Sequence, residues 1–193
     1  IRDSCDKVGA LMIIDEIQSG FGRTGILWAH MRAETRPDIM VAGKCIGGGF
    51  PLSVVSFSEE IGAKLGIGAH GSTFGGNPMA LAAMKGGIET LMKEAVVEKA
   101  KKMGETIKDM LKKIVEEYPR LVRRVKGLGL MIGLELRFNP TKALRILQSK
   151  YVLALRAGLN VLRFLPPYLI NMSDVKSLEG ALHETFREIE GRA

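Results

Sequence analysis

Lys44 stands just behind the apolar residues Ile39, Met40 and Val41, which read as a buried strand, and three glycines, Gly47 to Gly49, follow it. An amine at the carboxyl end of such a strand is partly desolvated. Desolvation lowers its pKa and frees it as a nucleophile for a carbonyl carbon. Ligands of open α/β sheets sit outside the carboxyl ends of the strands, and glycines there would let the backbone approach a flat ligand. The plainer reading is a strand-end lysine that extends its head into water.

Asp15 ends a second apolar run, Leu11 to Ile14. If the two strands are neighbours, Asp15 and Lys44 open onto one crevice. A carboxylate facing a pyridinium nitrogen keeps that nitrogen protonated and makes the ring an electron sink. A carboxylate and an imine-forming lysine at adjacent strand ends is the pair that pyridoxal phosphate requires. Alternatively, Asp15 caps the turn that follows it. A third group is Gly68 to Pro78, where Ser72 and Thr73 supply hydroxyls among glycines ahead of a helix opened by Pro78. Hydroxyls and free amides near a helix N-terminus suit a phosphate, although a Gly-rich turn alone is a weak signal. The fourth is Arg163, inside the apolar stretch Asn160 to Pro167. A guanidinium there needs a partner, either a substrate carboxylate held by both nitrogens or a structural Asp or Glu.

Alternating strand-like and helical segments must position these groups, which argues for an α/β layer architecture. Residues 1–10 read as the end of a helix closed by Gly9. Leu27 to Ala33 reads as a short helix, and Pro51 to Phe57 as a third strand. From Ile88 to Tyr118, apolar residues recur every three or four positions and Pro119 ends the pattern. That spacing predicts one long helix of about 46 Å joining two domains. Beyond it, Val122–Val125, Leu130–Leu136 and Leu159–Phe164 read as strands, and Leu169-Ile170 is strand-like. Thr141–Tyr151 and Val175–Ile189 read as helices, the latter capped by Ser173. The domains are therefore expected at 1–91 and 92–193.

Composition bounds the class. The 193 residues are 46% hydrophobic and 25% charged. There is no apolar run long enough to span a bilayer, and charges at Arg2, Asp3, Asp6 and Lys7 break any signal-peptide pattern. Cys5 and Cys45 are far apart, without metal-ligand spacing, so a metal site is not expected and a reducing compartment, the cytoplasm, is. The net charge of +7 has one dense patch, Arg120, Arg123, Arg124 and Lys126. It lacks interleaved aromatics, which argues against nucleic acid and for a solvated face or attraction of anions. The opening IRDSCDKVGA has no Met and reads as a helix under way, so a piece of a longer protein is expected.

The motifs DEIQSGFGRTG, PDIMVAGKCIGGGFP, HGSTFGGNPMA, GLGLMIGLEL and NVLRFLPP together resemble the class III pyridoxal-phosphate aminotransferases of fold type I, in the acetylornithine/ornithine branch. The likeness covers nearly the whole chain in order. It implies the second half of such an enzyme: the later part of the cofactor-binding large domain, a long helix, and an α+β C-terminal domain. It further implies Lys44 as the covalent cofactor lysine and proton carrier, Asp15 on the pyridine nitrogen, and Gln18 on the phenolic oxygen. Ser72 and Thr73 would reach the phosphate of a neighbouring subunit in a homodimer, and Arg163 would grip the substrate carboxylate. Arg23 reads as structural. Cys45-Ile46 replace the Ala-Leu common after the lysine. This leaves the lysine in place and sets a thiol beside it, either packed or oxidation-sensitive.

The implied reaction passes an amino group from an acetylornithine, ornithine or lysine-pathway donor to 2-oxoglutarate, in arginine or lysine biosynthesis. The basic charge would suit a substrate tethered to an acidic carrier protein. The rivals are a racemase, aminomutase or decarboxylase using the same cofactor, or an inactive fragment acting as a scaffold.

Overall fold

A computed structural model describes residues 1–191. The chain divides into two compact units, Ile1–Gly22 with Ile26–Val97, and Arg23–Gly25 with Glu98 onward. The architecture is mixed α/β.

The first unit opens with α1 (Arg2–Val8), closed by Gly9 in the left-handed conformation at φ 67°. A three-stranded sheet follows: β1 (Ile13–Asp15) runs parallel to β2 (Ile39–Ala42), and β3 (Val54–Phe57) pairs antiparallel to β2. Parallel strands need a crossover, and here a Gly-rich loop and the 3₁₀ turn Ala29–Ala33 supply it. The register places Ile13, Ile39 and Phe57 in one row and Asp15, Val41 and Val55 in the next. Side chains alternate across a strand, so these six share one face. Ile13 is 62% exposed and Val55 56%. The strands expected as buried are apolar, but this face of their sheet is open. The opposite face carries Ile14, Met40 and Ser56, and Trp28 and His30 join Met40 and Ser56 around a cleft of 280 Å³.

The long helix is two helices. After the four-residue α2 (Glu59–Gly62), α3 spans Pro78–Lys93 and α4 spans Val96–Glu117. Between them Ala95 adopts φ 47°, a left-handed residue that no helix continues through. The apolar stripe stays in phase across the break, with Leu91, Val96 and Ala100 all buried. Periodicity therefore cannot detect it, and the expected single bridging helix is corrected. Along the chain, the division between the compact units falls at Val97/Glu98.

The second unit is an antiparallel sheet with order β4-β5-β7-β6: β4 (Val122–Leu128), β5 (Met131–Leu136), β6 (Leu155–Ala157) and β7 (Val161–Phe164). Helices α4, α5 (Thr141–Ser149) and α6 (Met172–Glu190) cover one face. Ile107, Leu111 and Ile114 of α4 meet Ile132, Leu134 and Leu136 of β5, Leu147 of α5, and Leu182 and Phe186 of α6 in one fully buried cluster. Strand β6 was not anticipated, and Leu169-Ile170 lies in no strand. The cap of α6 is Asn171 rather than Ser173. Its side chain accepts from the Ser173 and Asp174 amides while Asp174 answers the Asn171 N–H, a reciprocal cap.

The basic patch is also accounted for. Arg123, Arg124 and Lys126, all on β4, converge on Glu135 of β5, whose side chain is only 5% exposed. Arg123 Nη1 lies 3.0 Å and Arg124 Nε 2.9 Å from its oxygens.

Arg23–Gly25 belongs to this unit for a packing reason. A Cβ on Gly129 would lie 2.4 Å from the Thr24 carbonyl carbon, and one on Gly104 of α4 would lie 2.2 Å from Gly129 O. The β4–β5 turn is thus wedged between α4 and the Arg23–Gly25 segment, with Leu130 N–H donating to Arg23 O at 2.9 Å.

Candidate active site

Asp15 is the last residue of β1, in register with Val41 of β2, and Lys44 lies three positions beyond Val41. Because the strands are parallel, both carboxyl ends fall at the same end of the sheet. Two contacts join the segments there. Glu16 N–H donates to Val41 O at 2.8 Å. Ile17 packs over Gly43, where an added Cβ would meet its Cγ2 at 3.4 Å. The carboxylate and the amine are thus brought to neighbouring strand ends.

Asp15 accepts from the Ile17 N–H through Oδ1 at 2.9 Å, so the turn-capping contact exists as well. Lys44 opens a 3₁₀ turn, Lys44–Gly47, and itself takes a left-handed φ of 52°. Such a backbone costs a non-glycine residue on the order of 1 kcal/mol. The burial anticipated for Lys44 is absent, because its side chain is exposed. Of the three glycines after it, Gly49 has nothing within 4 Å of an added Cβ, while Gly48 is close-packed. Gly48 has φ 59°, and a Cβ there would sit 2.7 Å from Ala83 O, so the space it clears is occupied by α3.

The loop after Asp15 carries Gln18, half-buried, and is compact. A Cβ on Gly20 would be 2.6 Å from the Trp28 ring, and Phe21 and Trp28 stand with ring centroids 6.5 Å apart. Sequence reasoning passed over Glu16, which is buried at 2% exposure. The available signal was a charged residue placed immediately after a strand end and before a tight glycine loop. Burial pushes its carboxyl up, but donors from Ser19, His30 and Ala29 outweigh burial and hold it below the ordinary carboxylate range.

Ser72 and Thr73 are exposed on the loop before α3. The N-terminus of α3 is capped by Asn77, whose Oδ1 accepts from the Met79 and Ala80 amides. The two hydroxyls therefore lie upstream of the cap, on a turn in which Gly75 N–H donates to Ser72 O.

Arg163 is in the second unit, on β7, half-buried, opposite Gly133 of β5 and Leu155 of β6. Arg23, expected to be structural, holds the chain just beyond it. Its Nη1 donates to Pro166 O at 2.6 Å, and its guanidinium lies 4.4 Å from the centre of the Tyr168 ring.

Among the described residues no cluster of acids, histidines and cysteines would hold a metal, and no helix is long and apolar enough to cross a membrane. What the first unit offers is an amine and a carboxylate at one end of a sheet, with a hydrogen-bonded corner between strand and loop. That donor set would suit an aldehyde cofactor with a basic ring nitrogen: the amine could bond the carbonyl carbon and the carboxylate could accept the ring N–H.

Known proteins define the class. The Aminotransferase class-III profile matches residues 1–186, so the chain belongs to that family, whose members depend on pyridoxal phosphate. The chain is 46% identical over its whole length to half of a [LysW]-aminoadipate semialdehyde/glutamate semialdehyde transaminase from Sulfolobus acidocaldarius. It is 36% identical over 94% of its length to 45% of acetylornithine aminotransferase 1 from Bradyrhizobium diazoefficiens. Ornithine aminotransferase from Toxoplasma gondii, solved with pyridoxal phosphate at partial occupancy in its active site, superposes with a TM-score of 0.90 at 29% identity, over 98% of this chain and 46% of that one. The chain thus spans about half the length of the relatives it matches.

Proposed function

We propose that the whole protein is a pyridoxal-phosphate-dependent aminotransferase that moves the amino group of an ω-amino acid derivative to 2-oxoglutarate, leaving a semialdehyde and glutamate. The observation that carries this reading is the placement of Asp15 and Lys44 at the carboxyl ends of two adjacent parallel strands. The relatives' names support the donor class: one acts on semialdehydes of aminoadipate and glutamate marked [LysW], another on acetylornithine. Of these, the carrier-marked substrate accompanies the higher identity, and the net charge of +7 suits an acidic carrier.

Pyridoxal phosphate, when bound, supplies the electron-withdrawing ring that accepts the electron pair of a substrate C–H bond. The chain's own groups do the rest. Lys44 Nζ would hold the cofactor and would carry the proton taken from the substrate. Asp15 keeps a proton on the ring nitrogen, and Gln18 donates to the phenolic oxygen. Ser72 and Thr73 serve the phosphate of a partner subunit, and Arg163 takes the carboxylate of glutamate or of the donor with two parallel N–H groups. The protein works as a homodimer in the cytoplasm.

The test is covalent trapping. Borohydride added to the protein mixed with pyridoxal phosphate should fix one adduct, on Lys44, and Lys44→Ala should abolish it. An adduct mapped to another lysine refutes the assignment. Glutamate-dependent amino transfer to a semialdehyde, without racemisation of the donor, separates the aminotransferase from its cofactor-sharing rivals.

A further inference from the structure

We propose that Glu16 is a positioning residue that sets the directions of Asp15 and Gln18 through hydrogen-bond geometry. The inference rests on the roles proposed above for those two residues. Glu16 lies between them in the chain, and every polar group it has is engaged. Its N–H donates to Val41 O of β2 at 2.8 Å, and its carbonyl accepts from Gly20 N–H at 3.0 Å. Its Oε1 accepts from the His30 backbone N–H at 2.8 Å and lies 2.9 Å from His30 Nδ1, while Oε2 accepts from Ser19 Oγ at 2.5 Å.

One side chain therefore ties three segments together: the end of β1, the loop carrying Gln18, and the 3₁₀ turn Ala29–Ala33. The two carboxylate oxygens are not interchangeable. Oε1 holds the turn and Oε2 holds the loop. The side chain is 1% exposed and that of His30 13%, so water is a poor substitute for either partner. His30 donates from Nδ1, because a carboxylate can only accept. The corner is stiffened further by Gly20, which sits against Trp28, and by the Asp15 Oδ1 bond from Ile17 N–H. A carboxylate aimed at one ring atom and an amide aimed at another must keep a fixed spacing, and Glu16 is the group that sets it.

Glutamine separates geometry from charge. In Glu16→Gln the amide oxygen still accepts from His30 and the NH2 donates to Ser19 Oγ, so all three segments stay tied. In Glu16→Ala the side-chain ties to the turn and to Ser19 are lost and only the backbone bonds to Val41 and Gly20 remain, and in Ser19→Ala only the Ser19 tie is lost. Two measurements are made. Amide hydrogen exchange at Ser19 and Gly20, with no cofactor present, should accelerate about tenfold in Glu16→Ala, less in Ser19→Ala, and stay within about twofold in Glu16→Gln. The Kd of the whole protein for pyridoxal phosphate should rise about tenfold, in the same order, while the thermal transition of the second unit stays in place. Alanine and glutamine variants that behave alike, or exchange unchanged in Glu16→Ala, overturn the proposal. A wild-type protein that forms no Lys44 adduct refutes the proposed function instead, and the exchange measurement still decides the role of Glu16.

Discussion

The two sheets of this chain are built from equally apolar strands and end up in opposite conditions. In the second unit, Ile132, Leu134 and Leu136 of β5 are inaccessible beneath three helices. In the first, Ile13 and Val55 stand more than half exposed on the face they share with Asp15. The second unit buries its own core. The first supplies the strand ends that bear the candidate chemistry, yet leaves one sheet face uncovered over a chain half the length of its relatives. A sheet whose strand ends carry candidate chemistry and a sheet sealed by its own helices are thus separate achievements of one chain.

Mutating one residue in each sheet sharpens that contrast most. Leu134→Ala removes a fully buried side chain and should cost about 3 kcal/mol in the unfolding of the second unit. Ile13→Ser replaces an exposed one and should change stability by less than about 0.5 kcal/mol. Trp28, the only tryptophan, lies in the first unit, so its fluorescence follows that unit while the tyrosine signal follows the other. A cost for Ile13→Ser comparable to that of Leu134→Ala would mean that the first sheet's open face is covered after all.

Arg23 gives the next largest effect. Its guanidinium holds Pro166 O and the Tyr168 ring, both in the second unit, although in sequence it belongs to the loop following Asp15. Arg23→Met keeps the stem and removes both contacts, so it should cost about 2 kcal/mol in the unfolding of the second unit. Arg23→Lys should recover little, since an ammonium lacks the planar fork. Equal sensitivity of the Trp28 signal would show that the segment stabilises both units alike.

These two cases mark what a linear reading reaches. The strands that lead to Asp15 and Lys44 were legible because a charge follows each apolar run. The second-unit core was legible because α4 repeats its apolar residues every three or four positions. Ala95 was not, because a single left-handed residue breaks the helix without shifting the stripe. Glu16 was not, because a carboxylate's burial depends on Ser19 and on His30, fourteen positions away. The membership of Arg23–Gly25 was not, because it follows from backbone approaching Gly129, which no local pattern records. The packing at Gly48 was not, because the atom its missing Cβ makes room for, Ala83 O on α3, lies far along the chain.

Acid offers a contrast confined to the second unit. Hydrogen bonds from Lys126 and Arg124, working against burial, bring the Glu135 carboxyl from 4.5 down to about 2. A carboxyl depressed in the folded state stabilises it above its unfolded pKa and loses that contribution as pH falls through the folded one. Stability of the second unit should therefore decline as pH drops from 4.5 towards 2, and Glu135→Gln should flatten that decline. An unchanged slope in the variant would assign acid sensitivity to other carboxyls.

The smallest effect compares two strained residues, one in each unit. Lys44 and Tyr151 take left-handed φ angles of 52° and 61°, and both side chains are exposed. Glycine removes a steric cost of about 1–2 kcal/mol and adds about 0.5–1 kcal/mol of unfolded-state entropy. Each glycine variant should therefore gain about 0.5 kcal/mol in its own unit, read by chemical denaturation. At Tyr151 nothing else is expected to change. At Lys44 the gain in stability comes with loss of the amine on which the proposed chemistry depends, so a sequence selected for stability alone would prefer glycine there. A Lys44→Gly variant less stable than the parent would show that the lysine makes contacts strong enough to hold its own backbone in place, and the contrast with Tyr151 would then lie in packing rather than in chemistry.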